Sequence, residues 1–352
     1  MARLQPSTEE CVDPITVFLE EQRFHGRSDR TLAAYQRVLR NFEAWIETSE
    51  GKEVGLDMID RRSCMAWVHS LRANHRESTI ATYASYVHRF YRYMVDVGEF
   101  EANPMALVIE QMPEEIDSNP IRRDIAVEDM QAFVADLHHP LDQAVIVTLL
   151  KTGMRVGELC NLDVRDIHLT ESSLEETPFR HRAALDGRAN AVYVDSAPTR
   201  GTEYNGETRT ASNKRKRPTI IPIDAELQHV LEQWLAIRPD PLSIAEPLFL
   251  ATESTWGARL DPDAVRYIVK RHAEPRGWYR TGADATENVT PHYFRHFFTT
   301  HLRDRTGDRG IVKYLRGDVA DDIIDTYTHN WGDRVRSHYE SNIYSLFPSY
   351  SV

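Results

Sequence analysis

At 352 residues, with 41% apolar and 27% charged side chains, the chain is long enough for two domains that each bury a core. Apolar runs such as Ala144–Val147 are far too short to cross a bilayer, and the N-terminal residues lack the apolar stretch of a secretory signal; a cytoplasmic protein is expected. The excess of 54 acidic over 42 basic residues, a formal charge of −12, argues against a nucleic-acid partner if it is spread evenly over the surface.

The detail of the charge points elsewhere. Only six basic residues are lysine (Lys52, Lys151, Lys214, Lys216, Lys270, Lys313), so the other 36 are arginine. An acid-rich, lysine-poor surface suits a cytoplasm at molar salt, where long-range charge is screened within a few ångström. A halophilic source is therefore expected, with an acidic regulatory surface as the plainer alternative. Any contact with DNA would then come from local arginine clusters. Cys11, Cys64 and Cys160 are odd in number and in no metal-ligand spacing, as expected of free thiols in a reducing compartment.

Residues 13–107 predict a bundle of helices. Ser28 or Asp29 can cap one that carries Leu32, Tyr35, Val38, Leu39, Phe42, Trp45 and Ile46 on a single stripe. Ser78 opens another, with Ile80, Tyr83, Val87, Phe90, Tyr91, Met94 and Val95. The opposite faces hold Arg30, Arg37, Arg40, His88, Arg89 and Arg92, which could meet phosphates; for any one of them a solvated face is the simpler account. Residues 108–124 are polar, contain two prolines and show no apolar period, which reads as a linker. A second domain over 125–341 opens with short helices, one of them from about Leu141 to Thr152 and ended by Gly153. Period-2 segments at Val164–Leu169, Ala191–Asp195 and Thr219–Ile223 predict a small antiparallel sheet, and a helical pattern resumes from Ala225 nearly to the end. The fold class expected is mainly α with a small antiparallel β-sheet: an N-terminal helical domain followed by an α+β domain. Residues 342–352 form a C-terminal tail whose Ile343, Tyr344, Leu346 and Phe347 can pack in cis or on a neighbouring subunit.

Three stretches carry chemistry. Thr152-Gly153-Met154-Arg155-Val156-Gly157-Glu158-Leu159 sets an arginine directly after a glycine-ended helix, where it can offer a planar fork to a phosphate or pair with Glu158. Pro291-His292-Tyr293-Phe294-Arg295-His296 opens a helix and puts His292 and Arg295 on one face by their i, i+3 spacing. Leu315-Arg316-Gly317-Asp318 is followed, nine residues after Asp318, by Tyr327-Thr328-His329. Each is weak alone.

Taken in order, they resemble the catalytic boxes of the tyrosine recombinase (phage integrase, Xer-like) family, and residues 13–107 resemble that family's helical, SAM-like core-binding domain. The resemblance implies catalytic residues Arg155, His292, Arg295 and Tyr327, with a lysine on the hairpin after the first box. Counting back from Ile221-Pro222 puts Lys214 on that position, with Lys216 as the near rival. Members usually carry His or Trp where this chain has Asp318, so that residue is not assigned a catalytic role; it can face Arg316, or a histidine, His296 or His329. Tyr339 is the rival nucleophile.

The resemblance further implies cleavage and rejoining of double-stranded DNA through a 3′-phosphotyrosine, performed by a homo-oligomer, a tetramer on two DNA sites. No cofactor, nucleotide or metal is expected, because the covalent ester conserves the bond energy. A type IB-like topoisomerase, a DNA-binding regulator with a non-functional site, and a metal-dependent nuclease are the alternatives. The last would need paired carboxylates.

Overall fold

The computed structural model describes residues 13–51, 54–116, 121–170, 180–318 and 331–348. They divide into two units, one ending at Pro120 and one starting at Ile121, each with its own core.

The first unit is helical throughout. Asp13 caps α1 (Pro14–Phe24), Ser28 rather than Asp29 caps α2 (Asp29–Ser49), and Asp60 caps α3 (Arg61–Leu71). Next come α4 (Glu77–Asp96) and α5 (Ala106–Gln111). The apolar stripes meet in a core rich in rings set edge to face, such as Phe42 against Trp67 at 4.9 Å between centroids. Two expectations need correction. Ser78 lies inside α4, which starts at Glu77 after Arg76. The segment read as a linker from 108 carries α5 as far as Gln111: Val108 is buried in the first core, and Arg72 grips Glu114 at 2.5 Å, so polar composition hid an anchored helix. Of the arginines on the outer faces, Arg40 is tied to Asp13 and Glu43, and Arg89 donates to the Tyr35 hydroxyl; these two hold the bundle together. Arg30, Arg37 and Arg92 are exposed.

The second unit is organised by α7 (Pro140–Thr152), whose residues are almost all buried because α9 (Ala225–Ile237) and α11 (Pro291–Thr306) cover it. Also present are α6 (Val127–Ala135), α8 (Val156–Cys160), α10 (Pro262–Ala273), α12 (Arg309–Arg316) and α13 (Trp331–Asn342). The sheet is antiparallel, in the order β1 (Ile167–His168), β2 (Ala191–Val194), β5 (Thr219–Pro222), with Val192 opposite both Ile167 and Ile221. The first strand is shorter than its alternating pattern predicts. Asp163 and Asp166 cap each other's backbone and wind Val164–Asp166 into a turn of 3-10 helix. A second hairpin, β3 (Glu203–Tyr204) with β4 (Glu207–Thr208), was not anticipated. The helical pattern predicted from Ala225 onward is interrupted between Ile237 and Pro262, where the chain makes a bridge between Leu250 and Arg259 instead. Among the described residues no helix is long and apolar enough to cross a membrane.

The C-terminal tail packs in cis. Tyr344 and Leu346 are buried in the second core, and the tail's backbone and Ser345 close on Glu226. Beneath them the fully buried ammonium of Lys151 meets Asp224 (2.5 Å), Glu226 (2.6 Å) and the Tyr344 carbonyl (2.7 Å). Burial alone would raise the Glu226 pKa; Lys151, Ser345 and the Leu346 N–H outweigh it and hold the carboxyl below its ordinary value. A depressed folded-state pKa contributes stability that is present above the unfolded carboxylate value and lost as pH falls through the folded one. Glu226→Gln should therefore lower stability at neutral pH by about 3 kcal/mol, the scale for stripping a partner from a buried charge. It should also flatten the acid limb of a Tm-against-pH profile; a profile parallel to the wild type's would contradict the assignment.

Candidate active site

The turn after α7 places the first arginine. Gly153 is left-handed (φ 59°), and a Cβ there would lie 2.2 Å from the Phe298 ring of α11, so only glycine permits both the reversal and the close approach. The chain then delivers Arg155 to the N-cap of α8. Glu158 accepts from the Arg155 backbone N–H at 2.9 Å and from its Nη1 at 3.0 Å, which fixes one edge of the guanidinium.

Thr290 and Pro291 start α11, and Arg295 turns inward to 2% exposure while His292 stays at the solvent side. Arg295 Nη1 donates to the Gly153 carbonyl (2.7 Å) and to the Arg316 carbonyl (2.9 Å), so its inner edge is fixed by the ends of α7 and α12. Gly317, left-handed at φ 71°, then turns the chain so that Asp318 faces the arginines. Its carboxylate accepts from Arg155 Nη2 at 2.6 Å and Arg295 Nη2 at 2.8 Å, and forms an ion pair with Arg316, whose Nη2 lies 2.9 Å away. Of the partners expected for Asp318 (Arg316, His296 or His329), Arg316 is found and His329 lies outside the described residues; the guanidiniums of Arg155 and Arg295 were not foreseen.

The hairpin arm that leads to β5 docks on α8. Gly157 lacks the Cβ that would sit 2.8 Å from the Ser212 carbonyl, and Asn161 donates to the Ala211 carbonyl (3.0 Å) and the Asn213 side chain (2.8 Å). Beyond it, Arg215 is buried, reaching Glu158 (3.2 Å) and the Leu315 carbonyl (3.1 Å), and its side chain fills the space a Cβ on Gly317 would need. Lys214 and Lys216 flank it and are exposed. Lys214 is thus held between two anchored neighbours, Asn213 and Arg215, whereas Lys216 is followed by exposed Arg217 and Pro218. Arg215 was missed in the sequence, where it sits inside a uniformly basic run.

The four arginines (155, 215, 295, 316) and two carboxylates (158, 318) leave the cluster with two net positive charges, 4 − 2. Burial and then the neighbouring Arg155 push the Arg295 pKa down to about 10, against the pull of Asp318, so it stays charged at neutral pH. Burial would raise the Asp318 carboxyl, but Arg295, Arg316 and Arg155 hold it below its ordinary value. Lost hydration, with Arg122, Arg295 and Arg316 nearby, lowers the His292 imidazole, which is neutral at neutral pH. Such an arrangement can grip a tetrahedral oxyanion through planar, charge-assisted hydrogen bonds.

Of the two candidate nucleophiles, Tyr339 is fully buried, donates its hydroxyl to the Lys151 carbonyl at 2.9 Å, and has its pKa pushed far above that of a free phenol by burial. Tyr327 and His329 lie outside the described residues.

Residues 17–98 match the model of the phage integrase N-terminal SAM-like domain, and residues 202–333 match that of the phage integrase family, a span that starts after Arg155. The chain is 25% identical to tyrosine recombinase XerC of Pelobacter propionicus over 340 residues, covering 96% of each. Its fold is similar to the Tn1549 transposon integrase in complex with transposon right end DNA (TM-score 0.64, 17% identity, 93% of this chain and 98% of that one). It is also similar to a lambda integrase tetramer bound to a Holliday junction (TM-score 0.61, 14% identity, 88% and 77%). The two matched segments, the relatives along nearly the whole chain and the shared fold agree: this chain belongs to the phage integrase family of tyrosine recombinases.

Proposed function

We propose that the protein is a site-specific DNA recombinase that cuts and rejoins double-stranded DNA through a 3′-phosphotyrosine, with Arg155, Lys214, His292, Arg295 and Tyr327 as its catalytic residues. The observation that carries this reading is the convergence of Arg155 and Arg295, 140 residues apart in sequence, on one small anion with their inner edges already fixed.

A phosphodiester resists attack because its oxygens repel a nucleophile and the departing alkoxide is a poor leaving group. Arg155 and Arg295 hold the two non-bridging oxygens and stabilise the second negative charge that develops as the phosphorus becomes five-coordinate. The Tyr327 oxygen bonds to phosphorus as the bond to the 5′-oxygen breaks, and Lys214 gives that oxygen its proton. Neutral His292 can take the phenolic proton. Rejoining runs the same steps backwards with a 5′-hydroxyl from another strand.

Lys214 is favoured over Lys216 by its bracketing anchors, and Tyr327 over Tyr339 by the burial of the latter. A tetramer on two sites is favoured by the lambda integrase assembly, and a halophilic setting by the acid-rich, lysine-poor composition.

Two measurements test the chemistry. Arg155→Lys or Arg295→Lys should slow strand cleavage by roughly 100-fold or more while duplex binding changes only a few-fold, because a point charge cannot reproduce the two-pronged contact. Cleavage near the wild-type rate by either variant would remove that residue from the site. A substrate with a 5′-bridging sulfur has a leaving group that needs no proton, so it should restore cleavage to Lys214→Ala. Lys216→Ala should show little defect on either substrate; the reverse pattern would move the general acid two residues along.

A further inference from the structure

In the DNA-free protein the outer edges of both catalytic arginines are already in use. Arg155 has Nη1 on Glu158 and Nη2 on Asp318; Arg295 has Nη1 on two backbone carbonyls and Nη2 on the same Asp318. A phosphate that is to be gripped by both guanidiniums needs those Nη2 groups. Asp318 also divides its oxygens as a phosphodiester would divide its non-bridging pair: Oδ1 takes Arg155, while Oδ2 takes Arg295 and Arg316.

We propose that the Asp318 carboxylate is a resident stand-in for the scissile phosphate, which withdraws from Arg155 and Arg295 when DNA enters, and that Arg316 is a third guanidinium released to the phosphate by that exchange. The proposal rests on the recombinase reading of the same site. Keeping both anions in place would set a carboxylate against a phosphate across the same donors, and like charges at that range repel. Exchange, by contrast, leaves the charge of the cluster unchanged.

Position favours the exchange. The Arg295 side chain is 2% exposed and pinned, whereas the Asp318 side chain is 30% exposed and hangs beyond the left-handed Gly317, on the solvent side of the cluster. The resident carboxylate keeps three crowded guanidiniums compensated before DNA arrives. It also sets a threshold. A free phosphate or sulfate ion must compete with an anion tethered beside the site, while a phosphate in a bound duplex arrives at the high effective concentration that the remaining DNA contacts provide.

The test is titration of the DNA-free, full-length protein with inorganic phosphate, followed by calorimetry. A carboxylate that holds the site about nine-tenths of the time weakens apparent affinity about tenfold, so Asp318→Asn should bind phosphate about tenfold more tightly than wild type. Adding Arg295→Lys should abolish that gain, which places the bound ion between the arginines. Unchanged or weaker binding by Asp318→Asn would overturn the proposal, and phosphate bound to the wild-type protein with Asp318 still on both arginines would overturn it as well. Should Asp318→Asn fail to fold, the wild-type protein crystallised in saturating phosphate decides. Phosphate on Arg155 and Arg295 with Asp318 turned away supports the exchange, and Asp318 still bridging both arginines refutes it. Because these readouts need no DNA chemistry, a wild-type protein that forms no DNA adduct would sink the recombinase reading alone.

Discussion

The arrangement of the site depends on the buried carboxylate of Glu158. It accepts from the backbone and side chain of Arg155 and pairs with Arg215, with no exposed surface of its own. A carboxylate withdrawn from water is tolerable only with such partners, and leaving the buried Arg215 guanidinium without it would cost roughly 3–5 kcal/mol. Through Arg155 it fixes the turn after α7. Through Arg215 it fixes the hairpin arm beside Lys214, and the far end of Arg215 reaches the Leu315 carbonyl near the end of α12. Three segments distant in sequence are thereby held within a few ångström of one another.

The same interaction reconciles an acidic chain with an anionic substrate. The formal charge of −12 is a property of the whole chain, whereas the arginine cluster carries a local positive excess. Its contacts of 2.6–3.2 Å are about as short as the screening length at molar salt, roughly 3 Å, so they survive conditions that erase long-range steering. Recognition by a few desolvated arginines suits such a medium better than a diffuse basic surface, whose hold on DNA weakens steeply with salt.

Much of this was legible in the sequence because it rests on local rules. Gly153 ends α7 as its left-handed geometry requires, the stripe of Leu32 to Ile46 forms a buried face, and the segments around Val192 and Ile221 pair antiparallel. What stayed hidden depends on tertiary neighbours. Arg215 looks like its exposed flanking lysines until Glu158 and Gly317 surround it. The helix Ala106–Gln111 is too short to show an apolar period, and is fixed by Val108 in the core and the chain beyond it by the Arg72–Glu114 pair. The alternation from Val164 to Leu169 reads as a strand, but the reciprocal capping of Asp163 and Asp166 wins over its first half. Whether the tail docks in cis could not be read from its apolar residues. It is decided by Lys151, a buried cation that needs the Tyr344 carbonyl and Glu226.

The assignment of Tyr327 as the group that becomes joined to DNA is tested most directly by trapping the covalent adduct on a nicked suicide substrate and mapping it by mass spectrometry. The adduct should map to Tyr327 and vanish in Tyr327→Phe, which keeps the ring and should still bind DNA, while Tyr339→Phe should still form it. An adduct on any other residue, or one that persists in Tyr327→Phe, would contradict the assignment. Absence of an adduct from the wild-type protein on its proper site would contradict the function itself.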